Sequence, residues 1–353
     1  MMQNVLRGLS VFVAALLIAG VTACPVGAQK EDDPHYKPVK HVGDREFLVQ
    51  APEGSGIIHY FATGSLDGST TATRALINIT GLLRNSDEYE KTGEEAIAAA
   101  GAGADTILIT PQFLAQIDVT GHSLPASTIR WDVQTWLDGL PAIGPAPISG
   151  FSVLDAIAKR LADRSRFPAI HEIVFVGHSA GGQMIQRYAV VGKAPDDLAA
   201  SGIAIRFVVA NPSSYLYFDS YRPVPSIEAT CPKFNSWKYG MDNLPPYVTL
   251  DAATLEARYV KRRVTYLLGQ LDTNPNHPVL DKSCMGETEG PYRLARGLSF
   301  AQYLRTRHPS GTNQDVAQVA DVDHDAHGMF TSTCGVAVIF QRPRTGCAVN
   351  AKI

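Results

Sequence analysis

Apolar, β-branched runs that alternate with helical stretches constrain this chain more than any other feature. "ALINIT" (75–80), "DTILIT" (105–110), "EIVFVG" (172–177), "IRFVVAN" (205–211), "RVTYLLG" (263–269) and "DVAQVAD" (315–321) read as strands. Between them lie helical patterns such as "SDEYEKTGEEAIAAA" and "SVLDAIAKRLADR" (152–164), the latter with Val153, Ile157 and Leu161 on one stripe. Apolar strands alternating with helices predict an α/β fold: a mostly parallel central sheet covered on both faces. "FLVQ" and "GIIHYFA" come earlier and predict an antiparallel start. Two connections are too long for simple crossovers. One is 111–150, rich in Pro and Gly and carrying Trp131 and Trp136. The other is 212–262, with "NPSSYLYFD", several prolines and Cys231. They are expected to be insertions, the second one cap-like, that either shape a binding site or decorate the surface.

The N-terminus reads as an export signal. Arg7 supplies a positive start and "VFVAALLIAGV" (11–21) an apolar core, well short of the roughly 20 residues of a membrane span. Cleavage after Ala28 is the favoured processing. "VTAC" also resembles a lipobox, which would leave Cys24 as a lipidated terminus and give the only route to membrane association. The expected organisation is a signal peptide over 1–28, a flexible linker over 29–44 and one catalytic domain over 45–353. Export makes the cysteines informative. Without Cys24 four remain, an even count that suggests two disulfides in an oxidising compartment. Of the three pairings, Cys231–Cys284 with Cys334–Cys347 is preferred, because the second pair closes a short loop. The net charge of -3, with no basic stripe, argues against a nucleic-acid partner. No cofactor is expected, and the absence of Cys-x-x-Cys disfavours a thiolate zinc site.

One strand ends in chemistry. "EIVFVG" runs into Gly177-His178-Ser179-Ala180-Gly181, and a helical pattern follows with Met184, Ile185 and Tyr188 on one face. Gly-x-Ser-x-Gly between a buried strand and a helix is the setting of a nucleophile elbow. The serine occupies a strained turn, and the two glycines stand where side chains would collide with backbone. The turn lifts the hydroxyl clear of the sheet. It also leaves the Ala180 N–H at a helix start, aimed at developing negative charge. A serine hydroxyl needs a base, and the base needs an orienting acid. Asp272 follows an apolar strand in "YLLGQLDTNP", and Asp219 and Asp242 are alternative acids. "VADVDHDAHGMF" offers His324 in the loop after the last strand run, with His327 as the alternative base at a helix start. A rival reading gathers Asp321, Asp323, His324, Asp325 and His327 around a metal ion. The second oxyanion donor is expected from "TGLLRN", where Gly81 permits close approach and Leu82 presents its N–H. Trp131, Trp136, Tyr215, Tyr217 and Phe218 are the aromatic residues of the insertions. Trp131, Tyr215 and Tyr217 are the candidates to line a substrate cleft, and the competing expectation is that they pack the insertions onto the domain.

With these residues the chain resembles the α/β-hydrolase superfamily over about 45–341. The anchors are "GHSAGGQ" (177–183), "GQLD" (269–272) and "DHDAHGMF" (323–330). More narrowly, "TGLLRNSDEY", "ITPQFL", "GHSAGGQMIQRYA" and "ANPSSYLYFD" are similar to blocks of a group of secreted or envelope-associated hydrolases. In that group the base lies in a Gly-His-Asp stretch shortly before Met-Phe, which favours His324 over His327. This chain departs from the pattern with Asp323 before the histidine and Thr80 where a histidine commonly precedes Gly81. The resemblance implies an α/β-hydrolase fold and acyl transfer to water. The expected activity is that of an exported serine hydrolase cleaving a small-molecule or polymeric carboxylic ester. An amidase or peptidase, a lipase, a polyester depolymerase and a non-catalytic envelope binding protein are the alternatives.

Overall fold

The apolar runs pair side by side. In the computed structural model, which describes residues 33–224 and 230–353, nine strands form one sheet. They are β1 (Arg45–Ala51), β2 (Gly54–Ala62), β3 (Arg74–Ile79), β4 (Thr106–Gln112), β5 (Glu172–His178), β6 (Ala204–Ala210), β7 (Arg263–Gly269), β8 (Gln314–Val319) and β9 (Val349–Lys352). Their order is β1-β2-β4-β3-β5-β6-β7-β8-β9. The six strands from β4 to β8 in that order run parallel, while β1, β2 and β9 add antiparallel pairings at the edges. Parallel strands need crossovers, and helices supply them. The helices are α1 (Ser86–Ala99), α2 (Gln116–Gly121), α3 (Gly150–Leu161), α4 (Ala180–Val191), α5 (Ala194–Ala200), α6 (Ala252–Tyr259), α7 (Cys284–Glu287), α8 (Arg293–Arg307), α9 (Ala326–Thr331) and α10 (Thr333–Ile339). Local chemistry sets several starts. Ser149 caps α3 through the Phe151 N–H, and Asp251 caps α6 through that of Thr254.

Two apolar layers sandwich the sheet. On one face Val153, Ile157 and Leu161 of α3 and Met184 and Tyr188 of α4 pack with Phe300 of α8. On the other, Tyr89 and Ile97 of α1 pack with Met329, Phe330 and Ile339 of α9 and α10. Each such fully buried side chain contributes about 1.5–3 kcal/mol of transfer free energy. The expected pairings Cys231–Cys284 and Cys334–Cys347 are both present. Among the described residues no helix is long and apolar enough to cross a membrane. The expected signal peptide and Cys24 lie outside the described residues.

The structure corrects two expectations. Residues 33–44, taken as flexible linker, form a tethered arm. Arg84 donates to the carbonyls of His35 and Lys37, each at 3.0 Å, and Asp118 accepts the Val39 N–H at 2.8 Å. Arg84 and Asp118 are themselves a fully buried pair, Nε to Oδ2 2.7 Å. Gln112 extends the hold, bonding the His41 carbonyl and the Gly43 N–H. Second, the large aromatics of the insertions face inward. Phe113 lies between Trp131 and Trp136 at ring separations of 5.4 and 5.2 Å. Tyr215 stacks on Phe300 at 4.8 Å, and Tyr217 packs against Tyr303 at 4.8 Å. Trp131, Tyr215 and Tyr217 are 0 % exposed, so burying their large apolar area outweighs displaying it in a cleft. From the insertions Gln134, Leu137, Lys238 and Tyr239 line the cleft instead, and the Trp237 indole, donating to the Asp138 carbonyl at 2.9 Å, joins the two insertions.

Candidate active site

Strand β5 is buried throughout and delivers Ser179 at its C-terminal end. The backbone there has φ 58° and ψ -117°, a conformation that costs free energy for a residue with a Cβ. Packing enforces it. A Cβ on Gly177 would lie 2.5 Å from the Gly181 carbonyl carbon, and one on Gly181 would lie 2.2 Å from the Ile79 carbonyl oxygen. The two glycines therefore let α4 start directly against β3 and β5. The Ser179 N–H is fixed to the Ala210 carbonyl at 3.0 Å. The Ala180 N–H, in the first turn of α4, has no intrahelical partner.

Asp272 emerges from the turn after β7, and His324 from the loop between β8 and α9. The histidine bridges the other two residues: Nδ1 to Asp272 Oδ2 2.8 Å, Nε2 to Ser179 Oγ 2.9 Å. Asn211, just past β6 in the left-handed region at φ 43°, braces both loops. Its Oδ1 accepts the Gly269 N–H at 2.8 Å and its Nδ2 donates to the Asp323 carbonyl at 3.0 Å. Arg293, at the start of α8, reaches Asp272 Oδ1 at 3.4 Å while also donating to Ser213 Oγ and the Val279 carbonyl.

His324 and Asp272 are buried, and their titration follows. Burial, with the Arg293 and His277 charges adding, holds the His324 imidazole well below its ordinary value, so it stays in the neutral form that can take a proton. Burial raises the Asp272 carboxyl, and Arg293 opposes that. His178, whose ring lies 4.5 Å from that of His324, is likewise held well below its ordinary value by burial first. His277 packs edge-on against His324 at 5.0 Å.

The alternative residues lie elsewhere. His327 is exposed and pairs with Glu95 at 2.6 Å. Asp219 pairs with Arg307 and accepts from the Tyr303 hydroxyl, and Asp242 is exposed in the second insertion. Asp325 caps α9 through the His327 and Gly328 N–H groups. Among the described residues no group of three or more His, Cys, Asp or Glu side chains is placed to hold a metal ion. Thr80, standing where the resemblance expected a histidine, is buried and donates to the Gly81 carbonyl at 3.1 Å.

Two cavities flank Ser179. One, of about 490 Å³, is lined by Leu82, Leu83, Tyr89, Val279 and His324. The other, of about 370 Å³, is lined by Ala180, Gln134, Gln183, Lys238, Tyr239 and Asp281. Leu82 borders both, and so do Asp33 and His35 of the N-terminal arm. The insertions thus reach the cleft through Gln134, Leu137, Lys238 and Tyr239. Arg293, Tyr89, His178 and the arm are the parts of the site that the sequence did not single out. His178 sits inside the quoted motif, and the only sequence signal for it was that position.

No protein-family model matches the chain, and no curated protein matches it in sequence. Solved structures do match in fold. Poly(aspartic acid) hydrolase-1 from Sphingomonas sp. KT-1 aligns with a TM-score of 0.58 at 23% identity, covering 86% of this chain and 99% of that one. LpqC, a poly(3-hydroxybutyrate) depolymerase from Bordetella parapertussis, aligns with a TM-score of 0.57 at 19% identity, covering 86% and 93%. With the sheet order above, the fold is that of the α/β-hydrolases.

Proposed function

We propose that the protein is an exported serine hydrolase that cleaves carboxylic esters through an acyl-enzyme. The observation that carries this reading is the continuous hydrogen-bonded chain Ser179–His324–Asp272, at 2.9 and 2.8 Å, with its serine opening onto two cavities. Ser179 Oγ attacks the ester carbonyl as His324 Nε2 takes its proton. Asp272 accepts the Nδ1–H and stabilises the imidazolium. The Ala180 and Leu82 N–H groups receive the oxyanion of the tetrahedral intermediate. His324 then returns the proton to the departing alcohol. Water, deprotonated by the same imidazole, releases the acid and restores Ser179.

Export is part of the proposal. It is supported by the signal-like residues 1–28 and by two disulfides, which persist in oxidising compartments. Anchoring through Cys24 is the alternative fate of the same signal. A second reading of the substrate, a polymer, is favoured by the cleft: two adjoining cavities meet at Ser179 and give room beyond a small ester group. The two structural neighbours named above are polymer hydrolases by name. An amide substrate would use the same groups, with the leaving amine taking the proton.

The test is fluorophosphonate labelling of the mature protein with the adduct mapped by mass spectrometry. A single adduct on Ser179, lost in His324→Ala and kept in His327→Ala, is the expected result. Ser179→Ala is expected to lower ester turnover by about 10⁴-fold. Absence of any adduct on folded protein would leave a non-catalytic binding role as the better reading.

A further inference from the structure

The residue before the nucleophile, His178, is joined to a tyrosine that none of the steps above uses. Tyr89 sits in the first turn of α1, almost fully buried, with its ring on the wall of the larger cavity. Its backbone carbonyl is held by Asn78 Nδ2 at 2.7 Å, which fixes that turn against the end of β3. Its hydroxyl lies 3.2 Å from His178 Nδ1. The same oxygen presses on the oxyanion loop, for a Cβ built on Gly81 would come within 2.8 Å of it.

The phenol oxygen lies against Gly81, whose backbone opposes the upward push of burial on this tyrosine. The hydroxyl and His178 Nδ1 share one proton, donated by whichever partner the His178 tautomer leaves protonated. One hydroxyl thus connects the residue before Leu82 with the residue two before Ala180, and these two carry the oxyanion donors proposed above.

We infer that Tyr89 is a positioning residue of the oxyanion hole: its hydroxyl ties the Gly81–Leu82 turn to His178 and so fixes the separation of the Leu82 and Ala180 N–H groups. The inference rests on the proposed acyl transfer at Ser179. A phenylalanine would fill the same volume and leave the apolar wall intact, so the hydroxyl alone is at issue.

Tyr89→Phe is measured on a p-nitrophenyl ester, per active site titrated with the fluorophosphonate. A trifluoromethyl ketone, which forms a tetrahedral adduct on Ser179, serves as a probe of the oxyanion hole. The expected result is a loss of about 10- to 30-fold in kcat with KM within about two-fold, less than the loss of a whole donor. The ketone's inhibition constant should weaken by the same factor as kcat, because both report oxyanion binding. A purely structural tyrosine would change the melting temperature or the titrated fraction and leave kcat per site and ketone affinity unchanged, which would overturn the inference.

A double-mutant cycle gives an independent readout. Gly81→Ala meets the Tyr89 hydroxyl at 2.8 Å, whereas the ring carbon beneath it is 3.6 Å away, an ordinary contact. The alanine should therefore cost at least about ten-fold in kcat in the wild type and about two-fold in the Tyr89→Phe background. Additive losses would overturn the inference. Wild-type protein that neither hydrolyses the ester nor labels at Ser179 would overturn the proposed function along with it. Labelled, active wild type with an unchanged Tyr89→Phe would overturn the role of Tyr89 alone.

Discussion

At Ser179 the strain is held by neighbours that have no room to relax. Gly177, Gly181 and the ends of β3 and β5 meet within van der Waals distance, so the turn cannot unwind without separating strands. The His324 imidazole beside it is set by a different force, burial. Because burial and Arg293 depress the His324 pKa, the acid limb of the kcat/KM profile should have its midpoint below the ordinary histidine value of about 6.5. With neutral His324 as the proposed base, activity is retained above its folded pKa and lost as pH falls through it. A midpoint at or above about 7 would contradict that environment. His178 is depressed as well, so both imidazoles contribute stability above about 6.5, lost on acidification through their folded values. At this scale Ser179, Asp272 and His324 are legible in the sequence because glycine spacing and strand ends mark them. Arg293 and Tyr89 are not. An arginine or tyrosine in an amphipathic helix reads as a helix face, and only the packing of α8 and α1 against the sheet turns it toward the site.

Among the elements, the N-terminal arm departs most from its sequence. Nothing periodic marks "DPHYKPVKHVGD" as ordered. Its order comes from partners far along the chain, the Arg84–Asp118 pair and Gln112, which satisfy its backbone groups. Asp118→Ala would leave the Arg84 guanidinium buried without its counter-charge, a change that costs about 3–5 kcal/mol. The expected outcome is a lowered melting temperature together with faster proteolytic nicking between residues 33 and 44. Unchanged nicking would mean that the arm is held by something else. The six parallel strands are legible because burial on both faces demands apolar runs. The edge strand β9, "VNAK", has no such pattern. It pairs with β8 in a register that runs from Asp315↔Lys352 to Gln318↔Val349, next to the Cys334–Cys347 link.

For the molecule as a whole, the candidate site collects at one end of the sheet. The Gly81–Leu82 turn, Ser179, Asp272 and His324 all follow the C-terminal ends of parallel strands, where crossover loops are free to vary. The disulfides hold two of the outlying pieces. Cys231–Cys284 joins the second insertion to α7, beside Asp281 and Ser283 of the smaller cavity. Its sequence separation of 53 corresponds to about 4 kcal/mol by loop-closure entropy, and the 13 of Cys334–Cys347 to about 3 kcal/mol. Replacing either pair by serines should lower the denaturant midpoint in that order of severity. Equal midpoints for wild type and both variants would show that the links add nothing to global stability. The cleft as a whole was only partly legible: the proposed triad follows from motif and order, but the polar wall of Lys238, Tyr239 and Gln134 depends on how two long insertions meet.

The arm also decides where the protein can be handled. Asp33 and His35 border both cavities, so a fusion partner joined directly ahead of Asp33 would sit at the substrate entrance. A handle after Ile353 instead continues from β9, on the far edge of the sheet from β1. Were Cys24 lipidated, the nine residues from it to Asp33 would span at most about 30 Å when fully extended. On so short a leash the cleft mouth would be kept close to the bilayer surface, within reach of whatever gathers there.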